Sequence, residues 1–257
     1  MTSRQQLCAW LDAARACDEE QTLTYHSWVL PDRKALCVTV PKVACSRIKL
    51  SLHLLEGNPA PAHLGDVHDA GTRLATFDRE RQLEILTSPE WFRCCFVRNP
   101  YERLLSAYQT QVGNTWNRQY QWLKDGIRTW AGLPAGDGAR EQLVSFRECV
   151  RYLHATTGRV RHDGHFNVQA HILVPHLIPY DVVGRFETFA RDFTQVLQRL
   201  GAPPAVVATA SEVRNASAKV PCALAYDPEL AELAYDFYKT DFETFGYERD
   251  SWRYEPA

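Results

Sequence analysis

No stretch of this 257-residue chain approaches the roughly 18 apolar residues that a membrane-spanning helix needs. The opening Met1-Thr2-Ser3-Arg4-Gln5-Gln6 has no apolar run behind it, so neither a signal peptide nor an anchor is read there. None of the eight cysteines forms a pair with two residues between, the spacing that marks many metal sites. The glycines and the Lys-Ser/Thr pair of a kinase phosphate loop, which position magnesium, are also missing. A net charge of −2 argues against a general nucleic-acid or membrane binder. There is no internal repeat and no low-complexity tract.

What the chain does contain is one device used twice. Residues 35–40 read as an apolar strand, 41–47 as a basic turn and 48–52 as a helix. Residues 92–97, 98–103 and 104–108 repeat that order. A strand feeding a helix N-terminus leaves unpaired N–H groups and a partial positive charge, which suit an anion. Two such turns, each with a Lys or Arg and a hydroxyl, suit a ligand with two separate phosphate groups. In the first, Lys42 stands just past the strand, Val43, Ala44, Cys45, Ser46 and Arg47 can aim successive N–H groups at the same oxygens, and Ser46 and Arg47 add a hydroxyl and a second charge. Taken alone, this turn reads equally well as a surface loop with a solvated lysine. In the second, Asn99 is a helix cap and Pro100 fits the first helical position, which puts Arg98 beside the positive end of the helix. Arg103 reads as a surface charge or a phosphate ligand.

The rest of the chain supplies further elements. Residues 57–61 (Gly-Asn-Pro-Ala-Pro) stop the first helix. Helices are expected over 78–86, over 141–154 from the spacing of Leu143, Phe146, Val150 and Leu153, and over 187–200. Residues 180–186 read as a strand and 132–138 as a surface loop. Asp227-Pro228 is a cap and first helical residue, with Leu230, Leu233, Phe237 and Tyr238 behind it. Strands alternating with helices predict an α/β fold, a three-layer sandwich whose central parallel sheet is covered on both faces, in one domain over 1–257. Cys37, Cys94 and Cys95 fall in buried strands, where a thiol behaves as a small hydrophobe.

The stretch Val40-Pro41-Lys42-Val43-Ala44-Cys45-Ser46-Arg47 resembles the 5′-phosphosulfate loop of sulfotransferases that use 3′-phosphoadenosine-5′-phosphosulfate (PAPS). Phe96-Val97-Arg98-Asn99-Pro100-Tyr101-Glu102-Arg103-Leu104-Leu105-Ser106-Ala107-Tyr108 resembles their 3′-phosphate site. Tyr180-Asp181-Val182-Val183-Gly184-Arg185-Phe186-Glu187-Thr188 and Lys239-Thr240-Asp241-Phe242-Glu243-Thr244-Phe245-Gly246-Tyr247 are similar to later segments of the same enzymes. The likeness covers about 35–248 and is greatest to the Golgi-type carbohydrate group that includes the chondroitin 4-O and HNK-1 enzymes. It implies a P-loop-like turn at 42–47, Arg98 and Ser106 on the 3′-phosphate, and a late basic loop in which Arg214 and Lys219 close over the nucleotide. It implies PAPS as co-substrate, 3′,5′-bisphosphoadenosine (PAP) as product, no metal, and a hydroxyl acceptor on a glycan or glycoconjugate.

An acceptor hydroxyl needs a proton acceptor, and histidine suits that near neutral pH. Of nine histidines, His68 lies between the two cofactor motifs, where many sulfotransferases keep their base. His165 lies in His165-Phe166-Asn167-Val168-Gln169, a partial match to the family's His-Trp-x-Pro-Gln motif. His68 is therefore expected as the base and His165 as an acceptor-site residue. His26, His53, His63 and His154 read as structural. A metal reading of His162, His165, His171 and His176 lacks a cysteine or carboxylate to complete a familiar pattern. Trp116, Tyr120, Trp122 and Trp130 suit a platform for a sugar ring, with core packing expected for at least half of them. The Golgi relatives carry an anchor, and cysteines after their His-Trp motif; here Leu173 and His176 stand at the cysteine positions. The expectation is accordingly a cytoplasmic, bacterial-type enzyme without membrane insertion, or a chain whose anchor has been removed, with free thiols. Two rivals are a PAP-binding protein without transferase activity and a small-molecule kinase.

Overall fold

In the computed structural model the described residues are 3–16, 20–134, 143–157, 163–211 and 220–254. Helices α1 (Ser3–Ala16) and α2 (Glu20–His26) lead into strands β1 (Ser27–Leu30) and β2 (Ala35–Val38), followed by helix α3 (Cys45–Leu55). Helix α4 (Arg79–Thr87) precedes β3 (Phe92–Val97) and α5 (Pro100–Ala107). Helices α6 (Gln121–Ala131), α7 (Phe146–Ala155) and α8 (Gln169–Leu173) come before β4 (Val182–Arg185). Helices α9 (Phe189–Arg199), α10 (Pro204–Ala208), α11 (Cys222–Ala225) and α12 (Pro228–Phe245) complete the order. These residues pack as two units, one within Met1–Val97 and Gln169–Ala216, the other within Arg98–Val168 and Ser217–Ala257. No helix among the described residues is long and apolar enough to cross a membrane.

The first unit carries the sheet, in the order β1-β2-β3-β4. Strands β2, β3 and β4 run parallel, with Ala35 opposite Phe92 and Phe96 opposite Gly184. The sheet is mixed rather than wholly parallel because β1 pairs antiparallel with β2. Pro31–Arg33 and a left-handed Lys34 (φ 45°) turn the chain back too tightly for a crossover helix. Every residue of β3 is buried, as expected for an inner strand covered on both faces. Phe96 meets Phe189 and Phe193 of α9 with ring centroids 5.3 and 5.6 Å away. A Cβ at Gly184 would lie 2.3 Å from the Phe96 ring, so only glycine lets β4 pair at this register. Arg93, 3% exposed within β3, donates to the carbonyls of Pro179, Ile85 and Ser88, while its backbone N–H donates to Asp181. The buried guanidinium thus satisfies peptide groups at the end of α4 and before β4 that would otherwise be orphaned.

The second unit is helical, with an aromatic core in which the hydroxyls of Tyr101, Tyr226 and Tyr238 are hydrogen-bonded. Tyr101 packs on Tyr226 and Phe242. Its hydroxyl donates to Arg249 O at 2.8 Å, and Tyr226 donates to Tyr101 O at 3.0 Å. Tyr238 donates to Phe166 O at 2.7 Å. Helix α12 begins as expected, with Asp227 accepting from Leu230 N and Pro228 at the first position. Helix α7 begins at Phe146 rather than 141, because Ser145 and Glu148 form a reciprocal capping box that fixes the start. Leu143 is left outside it and exposed.

Candidate active site

In the first unit, the turn between β2 and α3 has an unusual backbone. Lys42 (φ 69°) and Ala44 (φ 51°) are both left-handed without being glycine. That conformation costs an L-residue about 1–2 kcal/mol and survives only where the surroundings impose it. Val43 N donates to Val40 O, and Ala44 O accepts from Arg47 N and Ile48 N. The N–H groups of Ala44, Cys45 and Ser46 have no partner among the described residues. Three successive free donors at the N-terminus of an 11-residue helix form a cradle for an anion. Lys42, Cys45, Ser46 and Arg47 are half-buried around it. Arg47 also lays its guanidinium on the Phe189 ring, 5.6 Å from the centroid, so it packs against the unit's core as well as lining the turn.

His68 is brought to this turn from 22 residues away. Its Nε2 lies 2.8 Å from Ser46 Oγ. The short turn Leu64–His68 packs on α3, and Arg73 donates to the His68 carbonyl at 2.8 Å. Sequence reasoning missed two cations here. Arg73 sits over the Tyr25 ring at 4.3 Å, and Lys49, one turn beyond Cys45, lies 5.7 Å from the same ring. Lys49 is 3% exposed, and burial pulls its ammonium below the ordinary lysine range, with Arg73 adding to the effect against the opposing pull of Cys45. Its place four residues after Cys45 was the available signal, since helical spacing stacks the two on one face.

In the second unit, Asn99 caps α5 by accepting from Tyr101 N at 3.0 Å, and Pro100 occupies the first position, as expected. Arg98 is buried and donates through Nε and Nη2 to Glu102 at 3.3 and 3.0 Å. Ser106 is half-buried two turns along, where α5 passes into the wider π-helical turn Tyr108–Val112. Such turns often mark functional positions. Arg103 is neither a surface charge nor free for a phosphate. It is fully buried and donates to Asn167 O at 2.7 Å and Gly164 O at 2.9 Å, holding the turn that carries His165.

His165 itself belongs to a polar cluster. Its Nδ1 is 2.6 Å from Asp163 Oδ1 and 2.8 Å from Tyr120 Oη, and Tyr120 donates to the same carboxylate at 3.2 Å. Burial pushes the Asp163 carboxyl up, but hydrogen bonds from the His165 side chain and backbone and from Tyr120 outweigh it, and the group lies below its ordinary range. The aromatic expectation needs correcting. Trp116, Trp122 and Trp130 are 72%, 54% and 45% exposed, and only Tyr120 is buried. The buried stripe of α6 instead takes Lys124 and Arg128, whose charged heads find carbonyl and carboxylate partners. Arg214, Lys219 and His162 lie outside the described residues. Among the described residues no group of three or more His, Cys, Asp or Glu side chains could hold a metal ion. Among the described residues seven cysteines, Cys8, Cys37, Cys45, Cys94, Cys95, Cys149 and Cys222, form no disulfide.

Comparison with known proteins gives a consistent picture. A family profile described as Sulfotransferase family matches residues 25–248. Human carbohydrate sulfotransferase 14 is 33% identical over 193 residues, 73% of this chain and 50% of that protein. Human carbohydrate sulfotransferase 8 is 32% identical over 235 residues, 84% of this chain and 54% of that protein. Mouse carbohydrate sulfotransferase 11 is 29% identical over 192 residues, covering 68% and 53% respectively. The chain therefore spans about half the length of the curated relatives it matches. No solved structure matches.

Proposed function

The chain belongs to the sulfotransferase family, as a carbohydrate sulfotransferase member, and from that premise we propose that it moves a sulfuryl group from PAPS to a hydroxyl of a glycan or glycoconjugate by in-line displacement. The observation that carries the donor side is the turn at 42–47, with two left-handed residues and three free N–H groups converging at the start of α3. Lys42 and those N–H groups hold the 5′-phosphosulfate. Arg98 and Ser106 hold the 3′-phosphate, joined by Arg214 and Lys219, and residues 1–257 act as one catalytic domain.

In the reaction the acceptor oxygen forms a bond to sulfur as the bond from sulfur to the bridging phosphate oxygen breaks. Lys42 and the N–H groups of Ala44, Cys45 and Ser46 stabilise the charge that grows on the departing oxygen, which lowers the barrier because it is greatest in the transition state. His68 receives the acceptor proton; its 2.8 Å approach to Ser46 Oγ supports placing it at the donor loop. His165 serves the acceptor. The products are a sulfate ester and PAP. No metal takes part in this scheme.

Calorimetry with PAP in EDTA, followed by transfer from ³⁵S-labelled PAPS to oligosaccharides, glycolipids and phenols, tests this reading. We expect PAP to bind without metal and a glycan to become labelled. Failure of PAP to bind overturns the proposal, and tight binding with no labelled product converts the protein into a nucleotide-binding module. His68→Ala should keep PAP affinity and lose about 100-fold or more in turnover.

A further inference from the structure

The first unit buries a cation that the donor-side scheme does not use. Lys49 sits one turn into α3 and is only 3% exposed. Its ammonium has three hydrogens to donate, yet it makes no hydrogen bond and no ion pair among the described residues. It lies over the Tyr25 ring, 5.7 Å from the centroid. Arg73 lies over the same ring at 4.3 Å, so a second positive charge adds to the first instead of relieving it. Asp69 is within electrostatic reach, but its carboxylate is paired with Arg73 at 3.4 Å. A charge taken out of water without a partner is among the costliest groups a fold can carry, and a bound anion is what removes that cost.

The side chain is aimed at the N–H cradle. Helical side chains lean toward the N-terminus and cover the turn before their own Cα. For Lys49 that turn is opened by Cys45, four residues back, with the two Cβ atoms about 6 Å apart. Cys45 supplies one of the three free N–H groups, and it is the neighbour with the largest electrostatic effect on Lys49. On the same side, the Leu64–His68 turn packs on α3, and Arg73 behind it donates to the His68 carbonyl at 2.8 Å. His68 meets Ser46 Oγ at 2.8 Å. Lys49 thus stands on the flank of the cradle that also carries His68.

We propose that Lys49 is a catalytic residue that donates to an oxygen of the sulfuryl group in transit, an assignment that rests on the PAPS reading of the donor turn. In-line displacement puts sulfur between two oxygens. One is the bridging phosphate oxygen, held by Lys42 and the N–H groups; the other is the acceptor oxygen, whose proton His68 receives. The group lying between the cradle and His68 is then the sulfuryl, and an ammonium on that flank meets its oxygens rather than those of the phosphate. As the acceptor oxygen bonds to sulfur, the bond from sulfur to the bridging oxygen breaks and its electron pair leaves with PAP. Lys49 gives up no proton. It keeps sulfur on the line between the entering and leaving oxygens, the kind of positioning whose loss costs rate steeply. The contact exists with PAPS and is gone with PAP.

Calorimetric titration of PAPS and PAP side by side, without acceptor, on the wild type, K49M and K49Q tests it. K49M should weaken PAPS binding by roughly 10- to 100-fold, the worth of one charge-assisted hydrogen bond. PAP, which lacks the sulfuryl group, should lose no more than about 3-fold, the screened effect of a charge it does not touch. K49Q keeps a donor without the charge and should fall between K49M and the wild type for PAPS. Where the wild type labels an acceptor, K49M should lose about 100-fold in kcat. The same variant should melt about 2–8 °C above the wild type, because methionine has nearly the shape of lysine and no charge to desolvate. A gain in stability with a selective loss of PAPS is what a merely structural lysine would not give. Equal losses for PAPS and PAP overturn the assignment by placing Lys49 on a phosphate. PAPS binding that is unchanged in both variants while the wild type binds it tightly overturns the assignment alone and leaves the donor reading standing. Both variants melting below the wild type also overturns it, since the ammonium would then be satisfied within the protein. A wild type that binds neither nucleotide removes the donor reading and this assignment together.

Discussion

Ala44 offers a direct test of whether the donor turn is held in a strained form. Its φ of 51° and ψ of 24° place it in the left-handed region at the cap position of α3, with no side-chain cap bond to compensate. Relief of that conformation by Ala44→Gly is worth about 1–2 kcal/mol. The added freedom of glycine in the unfolded chain takes back about 0.4–1 kcal/mol. The net is a stabilisation of about 0.5–1 kcal/mol. Ala44→Val goes the other way, since a β-branched residue at positive φ is a true outlier and adds about 1–2 kcal/mol of strain. The two variants should therefore differ by about 2 kcal/mol, or about 4–8 °C in melting temperature for a chain of this size. PAP affinity should move against stability in Ala44→Gly, falling roughly 3-fold, because a turn no longer held in place must be ordered on binding. Differential scanning calorimetry and PAP titration on the same preparations read both effects. A glycine variant that melts below the wild type, or a valine variant that melts with it, would show that residue 44 is not held left-handed and that the cradle is not preformed.

Other outcomes follow from the same geometry. Lys42→Ala should cost about 10²- to 10³-fold in turnover with a much smaller loss of PAP affinity, whereas Arg98→Ala should mainly weaken PAP binding, since the 3′-phosphate does not change charge during transfer. Arg98→Ala should also lower the melting temperature by leaving the part-buried Glu102 without its partner at 3.0 Å; equal losses of rate and affinity in both variants would contradict the division of roles. In a Cys17→Ser background at pH 8, maleimide should label the half-buried Cys8 and Cys45 first, because Cys37, Cys94, Cys95, Cys149 and Cys222 are buried and burial pushes the Cys222 thiol up to about 12. PAP should then slow labelling of Cys45 by about 10-fold and leave Cys8 unchanged, by mass action at the donor turn; equal protection of both would move the nucleotide elsewhere.

The parts of the fold that could be read from the chain are those whose cause is local. The strand at 92–97, the Asn99-Pro100 start of α5, the Asp227-Pro228 start of α12 and the stop after α3 each depend on residues within a few positions of one another. The start of α7 was equally local but was read from the wrong feature. Apolar spacing extended the helix back to 141, while Ser145 and Glu148, the residues that decide it, were in plain view. The antiparallel β1 strand was missed because its four residues, ended by Pro31 and an unrecognised left-handed Lys34, leave little pattern.

The site divides along the same line. The turn at 42–47 was legible as a backbone cradle because its unpartnered N–H groups are consecutive, which a short motif specifies. The polar clusters were not, because each joins residues that the sequence keeps far apart: Ser46 with His68 across 22 positions, Tyr120 with His165 across 45, and Arg103 with Gly164 across 61. Charge misled in both directions. Arg103, Lys124 and Arg128 look like surface residues, yet they are buried because carbonyls and a carboxylate receive them, and the tryptophans around α6 look like core residues, yet they face water because those cations hold the interior positions. An exchange of this kind costs stability without any gain in packing.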